Sequence, residues 1–370
     1  MGLWVFDVGA NEALGIVERY STLRASRRYD EPGEIVFTAP LAALDDMSRI
    51  SPGQVVWPAG CDEAYIIEAV AIARRQGGVE LTARGRTLTA LLGRRCSPDV
   101  TYYAGKAGYV ARRMMEDVFG DEARAFPGWS LEAADGLGLT VSYLTSGETL
   151  LEAVGSVCRG SGLGMRTVFD PAQCAMRFEM YEGVDRFDAD ALDPASLDPE
   201  FDSLAGLAAE DSVEGFANVM YALGEKDSSS GVARKIVVDS QLEATGARLA
   251  GLERFERAAR YSGGSVTDGS GSAIGRPPGG GGGSFQLTEA QYQAAMKAFA
   301  LNALRAGERG VTVSGTVEYA GRAPGSRLLL GDIVRVRARG WGVDTASRVR
   351  ALEEVFVDGV ASRRAVMGAV

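Results

Sequence analysis

Near the start of the chain, side chains alternate with polar partners with the period of two that is typical of β-strands. The alternating positions are Leu23, Ala25, Arg27 and Tyr29, and the period resumes at Ile35, Phe37 and Ala39. Between them, Asp30-Glu31-Pro32-Gly33 favours a tight turn. Residues 64–73 and 78–86 repeat the arrangement, so the pattern predicts two successive β-hairpins.

Short alternating segments separated by turn residues continue over the whole of residues 3–95. They include Leu3 with Val5 near the start and residues 55–58 farther along. Strands of this length and spacing favour a small antiparallel barrel or sandwich.

Two helices are predicted in the middle of the chain, where apolar residues recur at helical spacing. Residues 106–119 place Val110, Met114 and Val118 on one helical face. Thr145-Ser146-Gly147-Glu148 has the pattern of a capping box and predicts the start of the second helix. The apolar face of that helix consists of Leu150, Leu151, Val154, Val157 and Cys158. Residues 165–169 and 175–181 then predict a hairpin around Asp170 and Pro171.

The remainder of the chain returns to strands, interrupted by one glycine-rich segment and one helix. Residues 190–202 are interpreted as an ordered connection, and residues 262–284, which include Pro277 and Pro278, as a flexible exposed loop. Thr288-Glu289-Ala290-Gln291 predicts a capping box for a helix over 288–306. The predicted strands are residues 216–224, 233–240, 311–319, 328–339, 346–357 and 362–367. Gly331-Asp332 is interpreted as a turn that enters the strand beginning at Ile333, and Val36 and Ile333 are expected to be core positions of their strands.

These elements predict an α+β fold that is mainly β, with two antiparallel β-barrel-like domains and an intervening α/β region. The expected bounds are 1–98 for the first barrel-like domain, 99–200 for the middle domain and 201–370 for the second barrel-like domain. The last domain contains the glycine-rich loop at 262–284 and the helix at 288–306.

Composition excludes several classes of function. The chain has 370 residues, a formal net charge of −10 and no histidine, which excludes histidine-based catalysis and histidine metal sites. The net negative charge also disfavours nucleic-acid binding through a broad basic patch. We find no signal peptide and no apolar run long enough to cross a bilayer, so synthesis in a cytoplasm is expected. The four cysteines at 61, 96, 158 and 174 lack metal-site spacing, and their disulfide state stays open.

No catalytic, cofactor-binding or metal-ligating residue is predicted. The chain has no phosphate-binding GxxxxGK[ST] motif, and the glycines at 160, 162 and 164 end a helix instead of opening one. Four acidic pairs could in principle support glycoside hydrolysis: Asp45/Asp46, Asp62/Glu63, Glu116/Asp117 and Glu353/Glu354. Because 49 acidic residues supply many pairs by chance, an enzyme is not the favoured hypothesis.

The order of these segments resembles that of tail hub, or tail tip, proteins of long-tailed phages (siphoviruses). The resemblance begins with the hairpin over 15–40, residues 64–73 and residues 78–95. It continues through residues 149–157, 177–186, 199–204, 218–223 and 330–336, and so covers nearly the whole chain. The glycine-rich segment at 263–284 departs from it because it is longer than usual for the family.

The resemblance implies a structural virion protein located at the tail tip and synthesised in the host cytoplasm. It implies a homotrimer whose two barrel-like domains per subunit form a ring that meets a hexameric tail tube or distal tail protein. The opposite side would meet a tail fibre or spike, and DNA would contact the protein only in transit through the channel. A phage-derived particle fits the same resemblance. Two alternatives stay open: a tail-associated cell-wall hydrolase that uses carboxylates, and a carbohydrate-binding tail adhesin.

Overall fold

The computed structural model confirms a mainly β fold with few helices. The structure describes residues 2–43, 50–75, 78–99, 101–145, 147–187, 196–197, 205–226, 231–261, 289–305, 310–316, 328–357 and 360–368. The predicted loop at 262–284 and nearly all of the predicted connection at 190–202 lie outside these residues. The largest element is a 13-stranded sheet to which both ends of the chain contribute.

Seven strands from the N-terminal part surround the first apolar core. They are β1 (Leu3–Asp7), β2 (Glu12–Val17), β3 (Thr22–Arg28), β4 (Glu34–Pro40), β5 (Val55–Pro58), β6 (Tyr65–Arg75) and β7 (Gly78–Thr87). Their order in the sheet is β3-β4-β7-β6-β5-β1-β2, and the two predicted hairpins, β3 with β4 and β6 with β7, are confirmed. Leu23, Ile35, Phe37, Ile67 and Leu81 fill the interior.

The middle part of the chain packs two helices against short strands. Its elements are β8 (Tyr102–Lys106), α1 (Ala107–Phe119), β9 (Trp129–Leu131), β10 (Thr140–Leu144), α2 (Leu150–Ser161), β11 (Gly164–Asp170) and β12 (Ala175–Tyr181). β11 and β12 form the predicted hairpin, and Val110, Met114 and Val154 lie in a core shared by both helices.

The predicted capping box at Thr145–Glu148 is wrong by four residues. The structure has the box at Thr149 and Glu152, where the Thr149 hydroxyl accepts a hydrogen bond from the Glu152 N–H at 3.2 Å. The Glu152 carboxylate accepts one from the Thr149 N–H at 2.9 Å. Both segments share the same Thr-x-x-Glu spacing. The difference arises because Thr145 is buried in a strand-end contact, where its hydroxyl donates to the Asp99 carbonyl at 2.8 Å.

The last part of the chain contributes a small sheet with a helix and the second half of the large sheet. Its elements are β13 (Ser196–Leu197), β14 (Ala205–Ser212), β15 (Val219–Lys226), β16 (Ala233–Asp239), α3 (Ser240–Thr245), β17 (Glu256–Arg260), α4 (Glu289–Arg305), β18 (Gly310–Thr316), β19 (Ile333–Ala338), β20 (Val343–Val357) and β21 (Val360–Gly368). α4 confirms the predicted helix, and Tyr292 and Met296 pack against the β15–β16–β17 sheet. The capping box predicted from Thr288 involves a residue outside the described part.

The 15-residue strand β20 connects the two halves of the large sheet. Its first half, from Val343 to Arg348, pairs with β19, and its second half, from Ala351 to Val357, pairs with β3. β21 pairs along Arg348 to Val357 and is followed by β18 and β14. In the described residues, β2 and β14 are the edge strands of the large sheet and do not pair with each other, so neither half closes into a complete barrel.

The burial of successive residues along each strand shows which positions belong to the apolar cores. Ile35 is completely buried, whereas its neighbour Val36 is only partly buried on the opposite face. Val334 is likewise buried and Ile333 is not. The sequence-based choice of Val36 and Ile333 as core positions is therefore wrong by one residue in each strand, because successive side chains in a strand point to opposite faces.

We expect Ile35→Asp to prevent folding of the N-terminal strands, because an unpaired buried carboxylate costs several kcal/mol, comparable with the stability of a domain. Val36→Asp is the matched control in the same strand and should cost less than about 1 kcal/mol. Chemical denaturation followed by circular dichroism measures both. Equal destabilisation by the two variants would contradict the assigned register.

Candidate functional site at the junction of the two sheet halves

Tyr29 lies where the two halves of the large sheet and the middle part of the chain meet. Its side chain is completely buried. The Tyr29 N–H donates to the Arg350 carbonyl at 2.9 Å, and its own carbonyl accepts from the Met165 N–H at 2.8 Å. The hydroxyl donates to the Gly162 carbonyl at 2.9 Å. One residue from the first hairpin therefore contacts β20, β11 and the glycine that follows α2.

Two glycines allow the Tyr29 ring to occupy this position. A Cβ atom on Gly164 or on Gly331 would lie less than 3.0 Å from carbons of the ring. Gly331 also has a φ angle of +87°, in the region where other residues are strained. Gly331 was assigned from sequence only as part of a turn before a strand, and its close approach to Tyr29 has no signal in the sequence.

A cavity of about 520 Å³ opens beside Tyr29. Residues from both halves of the large sheet and from the middle part of the chain line it: Arg27, Ala59, Gly60, Cys61, Asp62, Glu63, Arg166, Tyr181, Glu182, Gly183, Val184, Leu328, Leu329, Leu330, Asp332, Leu352, Glu353, Glu354, Arg363, Arg364 and Ala365. Its volume is in the range of small-ligand sites.

Most charges of the cavity wall are paired with one another. Glu354 on β20 lies 3.9 Å from a guanidinium nitrogen of Arg27 on β3 and 3.3 Å from one of Arg363 on β21. Arg166 on β11 lies 2.8 Å from Glu179 and 3.6 Å from Asp62. These pairs link β3 to β20 and link the middle hairpin to the turn before β6.

Asp332 forms a second buried group of contacts on the cavity wall. Its carboxylate lies 3.2 Å from the Arg186 guanidinium and accepts hydrogen bonds from the Val184 N–H at 3.2 Å and the Leu329 N–H at 3.1 Å. The sequence suggested only that Asp332 enters a strand. Its role in holding the segment before β19 against the end of the middle part becomes visible only in the structure.

Glu63 is the exception to this pairing. It is 3% exposed, and its backbone forms an isolated bridge to Val168 on β11. Burial raises the pKa of its carboxyl from 4.5 to about 7, although the positive charges of Arg27 and Arg166 oppose the shift. In the sequence, Glu63 is one member of an adjacent acidic pair with Asp62, and nothing in that pattern distinguishes it from a surface acid.

The other acidic pairs are held in ion pairs or lie outside the described residues. Glu116 and Asp117 on α1 pair with Arg113, at 2.7 Å and 3.3 Å. Glu353 lies 3.5 Å from Arg24. Asp45 and Asp46 belong to the segment that is not described. Among the predicted acidic pairs, Asp62/Glu63 is thus the one that combines a cavity with a carboxyl of raised pKa.

Trp4 and Trp57 contribute to a separate apolar surface near the edge of the large sheet. Strand pairing places Trp4 on β1 opposite Trp57 on β5 and opposite Ile16 on β2. Trp4 is 38% exposed and Ile16 is 42% exposed. Trp341, on the turn between β19 and β20, is exposed elsewhere on the surface. Sequence spacing alone gave no indication that Trp4 and Trp57 are neighbours.

The four cysteines are free thiols, of which Cys158 and Cys174 are buried. No group of three acidic or cysteine side chains suited to a metal ion occurs within the residues that the structure describes. In that same part of the chain, none of the helices combines the length and the apolarity needed to span a membrane.

We expect Gly164→Ala to lower the free energy of unfolding by about 1–3 kcal/mol, because the added methyl group would overlap the Tyr29 and Tyr181 rings. Gly340→Ala is the control, since its Cβ would meet no atom within 4 Å. Thermal unfolding of the purified variants measures the difference. A Gly164→Ala protein as stable as the wild type would show that the ring can move aside at no cost.

A second prediction concerns pH. Because the pKa of Glu63 is raised in the folded state, its protonated form stabilises the fold at low pH, and this contribution is lost as pH rises from 4.5 through 7. Between about pH 4 and about pH 8, the unfolding free energy of the wild type should fall by about 3 kcal/mol relative to that of Glu63→Gln. Glu182→Gln, an exposed acid of the same cavity, should keep the wild-type pH profile. Parallel profiles for wild type and Glu63→Gln would contradict the assignment.

Several solved structures share this fold. A prophage tail protein, gp18, from Listeria monocytogenes EGD-e has a TM-score of 0.55 and 11% identity, with 100% of this chain and 94% of that chain covered. The tail protein from Neisseria meningitidis MC58 has a TM-score of 0.57 and 14% identity, with 99% and 96% covered. The 43 kDa tail protein of prophage MuSo2 from Shewanella oneidensis has a TM-score of 0.56 and 13% identity, with 100% and 98% covered.

At these identities the similarity establishes the fold. A search of curated protein sequences finds no significant match. The profile of one protein family, described as Siphovirus ReqiPepy6 Gp37-like protein, matches residues 3–369. Since this match covers nearly the whole chain, the protein belongs to the Siphovirus ReqiPepy6 Gp37-like family and is a structural phage tail protein.

Proposed function

We propose that the protein is the trimeric hub at the tip of the tail of a long-tailed phage or of a phage-derived particle. In this role it joins the hexameric tail tube, or a distal tail protein, to a distal fibre or spike, and it lines the channel through which DNA passes. The observation that carries the proposal is the strand pair β3–β20, which joins two β-rich halves of one chain into a single sheet.

Symmetry supports this arrangement. A closed ring satisfies its contacts only when the number of repeating units on its two sides agrees. Three subunits with two β-rich halves each present six units to a six-fold tube, while the subunits themselves keep three-fold symmetry for a fibre or spike. The proposed domains 1–98 and 201–370 supply the two units, and the middle domain 99–200 packs beside them.

The net charge of −10 suits a channel for DNA. Phosphate contacts with lysine and arginine supply most non-specific affinity for DNA, so an acidic wall lets DNA pass without binding. Many arginines of this chain are already paired with carboxylates of the same subunit, including Arg112 with Asp135 and Arg166 with Glu179.

We expect three copies of the protein at one level of the tail. Electron microscopy of purified particles, with the chain labelled by a fused tag, counts the copies, and light scattering measures the mass of the isolated protein. A particle map with six copies or with one copy at this level would contradict the hub proposal.

The hydrolase alternative rests on one observation, the raised pKa of Glu63 in a cavity beside Asp62. A general acid of a glycoside hydrolase needs such a carboxyl, with a second free carboxylate across the substrate. Several other acids of this cavity are held by arginines or backbone N–H groups, which disfavours that second role. We expect no cell-wall degradation in a zymogram, and clearing that is lost in Glu63→Gln would establish the hydrolase.

A further inference from the structure

We infer that the cavity beside Tyr29 receives the cationic side chain of an arginine or lysine from a partner protein, with Glu63 as its counter-ion. The inference goes beyond the hub proposal, since it concerns a binding site for a defined chemical group and is tested on the purified protein.

Glu63 lines the cavity and is almost fully buried, and among the described residues its carboxyl has no hydrogen bond and no ion pair within 4.0 Å. The two arginines whose positive charge acts on Glu63 are paired with other acids: Arg27 with Glu354, and Arg166 with Glu179 and Asp62. Buried carboxylates are normally paired or become protonated. An incoming cation would therefore find an uncompensated acid.

A second polar group points to the same occupant. The Tyr181 side chain lines the cavity, and its solvent-shielded hydroxyl oxygen has no hydrogen-bond partner among the residues that the structure describes. A tyrosine hydroxyl can accept a hydrogen bond from a guanidinium or ammonium N–H. Glu63 and Tyr181 together thus offer two acceptors to one cationic group.

The cavity walls as a whole are acidic. They carry the six carboxylates of Asp62, Glu63, Glu182, Asp332, Glu353 and Glu354 against four arginines. A volume of about 520 Å³ accommodates a long side chain together with bridging water molecules.

Exposed apolar residues favour a protein side chain over a free cation. Val184 is 56% exposed and Leu329 is 50% exposed, and both line the cavity. The aliphatic stem of an arginine or lysine packs well against such residues while its charged end reaches deeper. Neighbouring apolar side chains of the partner would cover Val184 and Leu329 at the same time.

Binding of a cation is coupled to loss of a proton. Glu63 is surrounded by Arg27, Asp62, Tyr65, Arg166, Glu179 and Tyr181, and the balance of these groups with burial keeps its pKa at about 7. Only the ionised carboxylate pairs with a cation. The apparent dissociation constant should therefore be about tenfold higher at about pH 6 than at about pH 8.

The experiment uses acetyl-Leu-Arg-Leu-amide and the same peptide with citrulline, a neutral isostere, in place of arginine. Calorimetry on the wild type should show saturable binding of the arginine peptide at about pH 8, weakened about tenfold at about pH 6, and none of the citrulline peptide. Glu63→Gln should abolish binding and Tyr181→Phe should weaken it. Glu12→Gln, an exposed acid on β2 outside the cavity, should leave binding within about twofold.

Circular dichroism verifies that each variant is folded. If Glu63→Gln does not fold, the weaker binding expected for Tyr181→Phe provides a second test. Equal binding of the two peptides, binding that survives in Glu63→Gln, or no saturable binding of the arginine peptide would overturn the inference. Agmatine binding as tightly as the arginine peptide would assign the cavity to a free cation and would also overturn it.

Discussion

The packing of Tyr29 is the interaction on which the rest of the structure depends. Its ring is completely buried against Gly164 and Gly331, which come from the middle part and the last part of the chain. Its backbone carries one hydrogen bond to β20 and one from β11. Since protein interiors are close-packed, a change at any of these contacts is transmitted to the others. Three parts of the chain that are remote in sequence are thereby held in one arrangement.

The strand β20 extends this constraint along the large sheet. β20 pairs with β19 along its first half and with β3 along its second half. The pairing partner changes next to Arg350, whose carbonyl accepts a hydrogen bond from the Tyr29 N–H. The ion pairs of Glu354 with Arg27 and Arg363 join β20 to β3 and to β21.

The same junction contains a buried acid, Glu63, that has no close counter-ion among the described residues. Burying Glu63 without a close counter-ion costs free energy, which is visible as its raised pKa. Folded proteins keep such groups chiefly at sites with a function. The contrast with Asp332, which is as deeply buried but is held by Arg186 and by two backbone N–H groups, makes the cavity at Glu63 the candidate for binding.

The sequence by itself determined the local elements and the class of the fold. The β3–β4 hairpin, α1, α2 and α4 follow from periodicity and turn residues, which act between near neighbours. Only the tertiary structure decided which face of β4 and β19 is buried, which Thr-x-x-Glu segment caps α2, and that β3 pairs with a strand more than 300 residues away. Glu63 shows the reason most clearly: it is buried because β11 covers the turn that carries it, and no local pattern encodes contacts between segments so far apart.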